Sequence, residues 1–177
     1  MDLDDNRRLQ ELWDHHQIRQ TLAMYCHGCD RADIAEMASV YCEESWDDHG
    51  PNKCDGRMFA KVILEQARQT TRVVSHQLGQ SLIRVFGTGA AAETYFVATL
   101  ISDSDEGERM TQLGGRYVDT LAREDGGWKI KERLCVRDWS STGLIDPGYL
   151  AKSGFIEGSR GGADVSWDRL RLVPETA

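Results

Sequence analysis

The chain has 177 residues, 40% of them hydrophobic, enough for one domain whose core can enclose a cavity. Its 21 basic and 29 acidic side chains leave a formal charge of -8, and no basic run offsets it, which argues against general affinity for nucleic acid or anionic membrane. No apolar stretch approaches membrane-spanning length and MDLDDNRRLQ has no signal-peptide core, so the expected location is the cytoplasm, with the five cysteines reduced.

A long first helix is expected over residues 5–29, where Leu9, Leu12, Trp13, Ile18, Leu22, Tyr25 and Cys29 follow one helical stripe. Asp30 stands where this helix runs out, one turn past Tyr25, and can point into whatever the stripe covers. Cys26-His27-Gly28-Cys29 matches C-x-x-C, but it closes a helix where a redox motif would open one, and no second ligand pair at zinc spacing accompanies it. Small core residues are its expected role, and no metal site is expected. Asp33 can cap a second helix over 34–41, with Ile34, Met37 and Tyr41 on its apolar face. A short polar strand, 44–49, then turns at Gly50-Pro51. Alternation lets only two of Trp46, Asp47, Asp48 and His49 look inward. Trp46 and Asp48 are assigned to the interior, with Asp47 and His49 kept as the alternative polar pair. A third helix over 57–69 carries Phe59, Val62, Ile63 and Gln66 on one side.

Strands follow. Residues 73–86 alternate, which places His76, Leu78, Leu82 and Phe86 on one face before a break at Gly87-Thr88-Gly89. A second strand is expected over 91–102, a third over 110–123 and a fourth over 128–139, the last two joined by an Asp125-Gly126 hairpin. Helices first and an antiparallel meander second make the fold class α+β. Residues 1–140 would form the domain. The tail, 141–177, rich in glycine with scattered Leu144, Ile145, Tyr149, Phe155, Ile156 and Trp167, would pack on a pocket mouth or on a neighbouring subunit.

This order of elements, over nearly all of residues 10–140, resembles the SnoaL-like branch of the nuclear-transport-factor-2-like superfamily. Tyr25 and Asp30 closing the first helix, His76 early in a strand, GGRYVD (114–119), REDGGWKI (123–130) and RLCVRDW (133–139) carry the resemblance. It implies a cystatin-like cone: a curled, mostly antiparallel sheet wrapped against three N-terminal helices around a pocket. The outer sheet face, with Thr94, Val118, Leu134 and Val136 among its positions, would be buried in a homodimer or homotrimer.

The superfamily holds enzymes and plain binding proteins, so the fold does not choose between them. The nearest similarity is to lyases of the bile acid 7α-dehydratase, dehydrochlorinase and scytalone dehydratase types, which pair an aspartate with a histidine. Carried onto this chain, the pair is Asp30 and His76, with Tyr25 beside them and either Arg133 or Arg137 supplied by the last strand. A β-elimination needs a base for the carbon-bound proton and an acid for the leaving group. Histidine suits the first role because its unperturbed pKa, about 6.5, lies near neutrality, and a hydrogen-bonded aspartate fixes its tautomer. No metal or organic cofactor is required by that chemistry.

The expected partner is a small hydrophobic molecule, such as a steroid or polyketide. Tyr25, Trp46, Asp48, Leu78, Phe96, Arg133, Arg137 and Trp139 are the expected substrate-binding residues. The alternatives are a non-catalytic ligand-binding protein, a dioxygenase small subunit with a larger iron-bearing partner, and a ketosteroid-isomerase-like enzyme. The last of these would carry its carboxylate on the strands, where no clear match stands.

Overall fold

Asp14 and Thr21, two polar residues in the first helix, decide how that helix meets the sheet. In the computed structural model, which describes residues 3–170 apart from the side chains of residues 68, 69, 149 and 151, α1 spans Leu3–Arg31. The buried stripe is confined to its second half, at Ile18, Leu22, Tyr25 and Cys26. Leu9, Leu12 and Trp13, expected on the same stripe, are exposed, and buried Asp14 makes the contact there. Its carboxylate accepts from Arg123 and, at 3.2 Å, from the Trp128 indole, while the Thr21 hydroxyl donates to the Trp128 carbonyl at 2.8 Å. Burial works to raise the Asp14 pKa, but the bonds from Trp128, Arg123 and Gln10 bring it below the ordinary carboxylate value.

The remaining elements run α2 (Ile34–Ser39), β1 (Tyr41–His49), β2 (Asn52–Cys54), α3 (Gly56–Thr70), β3 (Val73–Phe86), β4 (Gly89–Ser104), β5 (Gly107–Glu124), β6 (Gly127–Leu144), α4 (Gly148–Ser153) and α5 (Ser166–Leu170). Asp33 caps α2 by accepting from the Glu36 amide at 2.9 Å, and Asp55 caps α3 by accepting from Arg57 and Met58, both at 3.0 Å. Tyr41, expected at the end of α2, instead heads β1 and is fully buried. Its ring lies so close over Gly56 that any side chain there would collide with it. The turn at Asp125-Gly126 has φ of 52° and 80°, both in the region that a two-residue hairpin needs.

The sheet has the order β2-β1-β6-β5-β4-β3, antiparallel throughout except that β1 runs parallel to β6. The fold is therefore α+β, with a mixed, curled and unclosed sheet packed on the helices. One face meets α1, α2 and α3 around a core that includes Ile18, Leu22, Met37, Phe59, Leu64, Phe96 and Ile130. β6 continues five residues beyond the expected Trp139, to Leu144. No helix among the described residues is long and apolar enough to cross a membrane. Tyr149's side chain and residues 171–177, parts of the expected tail, lie outside the described residues.

Three bulges reset which residues face inward, and they correct the simple alternation. Between Leu78 and Ser81, β3 has one residue more than β4, so Ser81 and Ile83 turn inward while Leu82 and Phe86 are left 63% and 62% exposed. On β6, Lys131 and Asp138 are the extra residues opposite β5. Thr94, expected on the outer face, is fully buried and donates to the Ser81 hydroxyl at 2.9 Å. Val118 and Leu134 do point outward and are exposed, in an apolar strip with Trp46 and Leu82.

The largest fully buried side chain is Arg133. It donates twice to Asp119, at 2.7 Å each, and its guanidinium lies 4.1 Å from the ring centres of Tyr25 and Tyr117. Removing one partner leaves the other charge buried and uncompensated. Asp119→Ala should therefore lower the unfolding free energy in a denaturant titration by about 3–5 kcal/mol, with a much smaller loss in Asp119→Leu/Arg133→Met.

Candidate active site

α1 ends at Arg31, and Ala32, at φ 56°, turns the chain left-handed immediately after it. Just before that turn the Asp30 carboxylate reaches across to β3. One oxygen meets His76 Nδ1 at 2.6 Å and the other accepts the His76 backbone N–H at 2.9 Å. A carboxylate only accepts, so Nδ1 carries the proton and Nε2 is the remaining basic nitrogen of the neutral ring. Both side chains are nearly buried, at 11% and 9% exposure.

The C-terminal segment holds this helix end from behind. Arg160 donates to the carbonyls of Cys29 at 3.1 Å and Asp30 at 3.3 Å, and also to those of Ala67 and Thr71 at the end of α3. A cation there satisfies carbonyls that a helix terminus leaves unpaired. Arg31 pairs with Asp164 at 3.0 Å, and the Trp167 ring meets His27 edge-on at 5.2 Å.

The dyad opens onto a cavity of about 240 Å³ between the helices and the inner sheet face. α1 contributes Tyr25 and Cys29, α3 contributes Phe59, Ile63 and Ala67, and the strands add Val74, His76, Phe96, Ala98, Leu100, Leu113, Tyr117, Cys135 and Arg137. Phe96 and Tyr117 stack face to face with centroids 4.2 Å apart. Burial keeps Tyr25 and Tyr117 as neutral phenols well above their ordinary pKa, the charge of Arg133 opposing it.

A second histidine, His49, completes the wall with Pro51 from the β1–β2 turn and Asn52 at the start of β2. Its Nδ1 meets the fully buried Asp47 carboxylate, whose other oxygen accepts the Tyr41 hydroxyl at 2.5 Å. His49 Nε2 lies 3.4 Å from the Tyr25 hydroxyl, and Phe59 stacks on the ring at 4.3 Å. Burial opposes a charge on His49, but the Asp47 carboxylate and the Cys135 sulfur outweigh it and raise the pKa above the ordinary value.

Of the sequence-predicted residues, His76, Tyr25, Phe96 and Arg137 line this cavity, and Asp30 stands behind it on His76. Trp46 and Asp48 turn the other way, into a groove of about 540 Å³ on the outer sheet face, where Asp48 pairs with Lys53 at 2.9 Å. The alternation of β1 was sound, and it is the Asp47–His49 face that looks inward. Leu78 packs against the core beside the cavity and is not in its wall. Arg133 lies sealed behind Tyr25 and Tyr117. The Asp138 bulge turns Trp139 to the outer face, where its indole covers Gly114 so closely that no side chain would fit. Tyr117 was missed as a site residue, although it lies in GGRYVD.

Cys29, Asp30 and His76 hold ligand-type atoms within 4.8 Å of one another, the sole such group among the described residues. Burial, reinforced by the charge of Asp30, pushes the Cys29 thiol up to about 12, so it is a protonated thiol beside the dyad.

Residues 10–134 match the SnoaL-like domain family. The fold is shared with a candidate scytalone dehydratase from Novosphingobium aromaticivorans, 21% identical over 86% of this chain and 95% of that one, at a TM-score of 0.66. A type 2 hexachlorocyclohexane dehydrochlorinase superposes with a TM-score of 0.70 at 15% identity, over 80% of this chain and 99% of its own. The β subunit of a candidate aromatic-ring-hydroxylating dioxygenase, also from N. aromaticivorans, gives 0.58 at 19% identity over 74% and 92%. No curated protein matches.

The raised pKa of His49 has a testable sign. A raised folded value means that the pair's contribution to stability is fully present below the unfolded pKa, about 6.5, and is lost as pH rises through the folded value. In Asp47→Asn the His49 midpoint, followed by NMR, should fall below that of the wild type. The stability gap between the two proteins should narrow as pH climbs through the wild-type midpoint.

Proposed function

The chain belongs to the SnoaL-like domain family, and within it we propose a cofactor-independent lyase that removes water or halide from a small hydrophobic molecule, such as a steroid or polyketide. The observation that carries this reading is the doubly bonded Asp30–His76 pair, whose histidine lies in the wall of a largely apolar cavity. Asp30 holds the imidazole from behind, so Nε2 takes the proton from carbon and the resulting imidazolium is stabilised in place. The Tyr25 phenol, kept protonated by burial, donates to the departing oxygen. Arg137, in the cavity wall, offers a cation for a carbonyl or carboxylate of the substrate. The named activities of the dehydratase and dehydrochlorinase neighbours support this class of reaction.

Likeness to a dioxygenase β subunit supports a second reading, a non-catalytic subunit or binder. It requires no turnover by the isolated chain and co-purification with a larger partner. Steroid, bile-acid and aromatic-polyketide alcohols screened for loss of water decide between the two. General-base help is worth about 10²–10⁴-fold, so His76→Ala should lower turnover by at least the lower figure while binding stays nearly intact. Asp30→Asn should lose almost as much, and the double variant little more, because the pair acts as a unit. Near-wild-type turnover in His76→Ala would reject the assignment.

A further inference from the structure

The cavity contains a second aspartate–histidine pair. His49 and His76 flank the stacked Phe96–Tyr117 rings, with centroids 6.0 Å from Tyr117 and 6.5 Å from Phe96 respectively. Each imidazole has its Nδ1 on a buried carboxylate, which leaves Nε2 as the other nitrogen. Their surroundings differ. Asp30 spends both oxygens on His76, whereas Asp47 is shared between His49 and the Tyr41 hydroxyl. His49 Nε2 also has a near neighbour, the Tyr25 hydroxyl at 3.4 Å. An unbroken chain therefore runs Tyr41–Asp47–His49–Tyr25 and ends at the phenol that faces the substrate space.

We infer that the Asp47–His49 pair is the acid of the reaction, replacing through His49 Nε2 the proton that Tyr25 gives to the leaving oxygen, while His76 serves only as the base. This assignment rests on the lyase reading and adds to it the source of the second proton. The groups facing His49 are Tyr25 from α1, Asp47 from β1, Tyr117 from β5 and Cys135 from β6, with Phe59 of α3 on its ring face and Tyr41 bonded to the far oxygen of Asp47. Among these Asp47 is the carboxylate, and its charge helps to hold the His49 pKa above the ordinary value against burial.

The step balances. The C–H bond breaks, its proton goes to His76 Nε2, and its electron pair forms the new C=C bond. The C–O bond breaks, and the oxygen leaves as water after taking the Tyr25 hydroxyl proton, which His49 replaces. His76 ends protonated and His49 neutral, so one proton lost to solvent and one regained resets the site without an oxidant or reductant.

A hydroxyl needs this proton and a chloride does not, so the leaving group separates the two histidines. The test uses a steroid-skeleton β-hydroxy ketone and its β-chloro counterpart with the wild type, His49→Gln, Asp47→Asn and His76→Gln, each checked for folding by circular dichroism. General-acid help of about 10²–10⁴-fold sets the scale. His49→Gln should lose at least a hundredfold in kcat on the alcohol, and that loss should exceed its loss on the chloride by at least tenfold. Asp47→Asn should show the same preference in weaker form and serves in its place where His49→Gln does not fold. His76→Gln should lose both activities alike. Equal losses on alcohol and chloride in His49→Gln and Asp47→Asn would overturn the acid assignment and leave the lyase reading standing. Failure of the wild type to turn over either ketone would overturn both.

Discussion

A single carboxylate, Asp30, joins the end of the longest helix to β3, the edge strand of the sheet. By accepting both the backbone and the ring N–H of His76 it fixes where α1 stops relative to β3, and it orients the imidazole in the same act. Several otherwise unrelated features serve that contact. Ala32 turns the chain away directly after the helix, and Arg160 ties the last carbonyls of α1 to those of α3. Asp14 and Thr21 pin the same helix to the β5–β6 hairpin farther back. The helix is therefore held at two places along its length, and its free N-terminal turns contribute little to the core.

The interior is unusually polar behind the cavity wall. Arg133 and Asp119 are wholly buried and paired, and the guanidinium backs the faces of Tyr25 and Tyr117. A hydrophobic replacement of such a pair is often no less stable, so net stabilisation is a weak reason for its presence. Its geometric consequence is plain: two phenol rings are clamped from behind, and one of them carries the hydroxyl next to His49. Phe59, Phe96 and the aliphatic residues of α3 and β4 supply the apolar remainder of the wall, which suits a ligand of low polarity.

The strands and helices were legible because their periods are regular. β3 begins and ends at the residues that alternation marked, and Asp33 and Asp125-Gly126 act as the cap and the turn that they resemble. What alternation could not register was the extra residue. Bulges near Gly79 and at Asp138 reverse the facing of Leu82, Phe86 and Trp139, and a bulge is a property of two strands together. Tyr41 reads as a helix residue from its spacing to Met37, and only its burial against Gly56 makes it the start of a strand. In β1 the parity of Trp46, Asp47, Asp48 and His49 was clear, but which parity faces inward depends on β6, more than 80 residues later. The Asp30–His76 pair lies outside the reach of any local pattern, and family resemblance alone brought the two together in the sequence.

Nitrogen-15 NMR of the neutral His76 ring in the full chain is the most direct measurement of whether Asp30 makes this residue a base. The expected spectrum shows a protonated Nδ1 and a bare Nε2, with mixed tautomers appearing in Asp30→Asn. A ring that carries its proton on Nε2 in the wild type, or one whose tautomer is unchanged in Asp30→Asn, would contradict the assignment of His76 as the base that Asp30 holds in place.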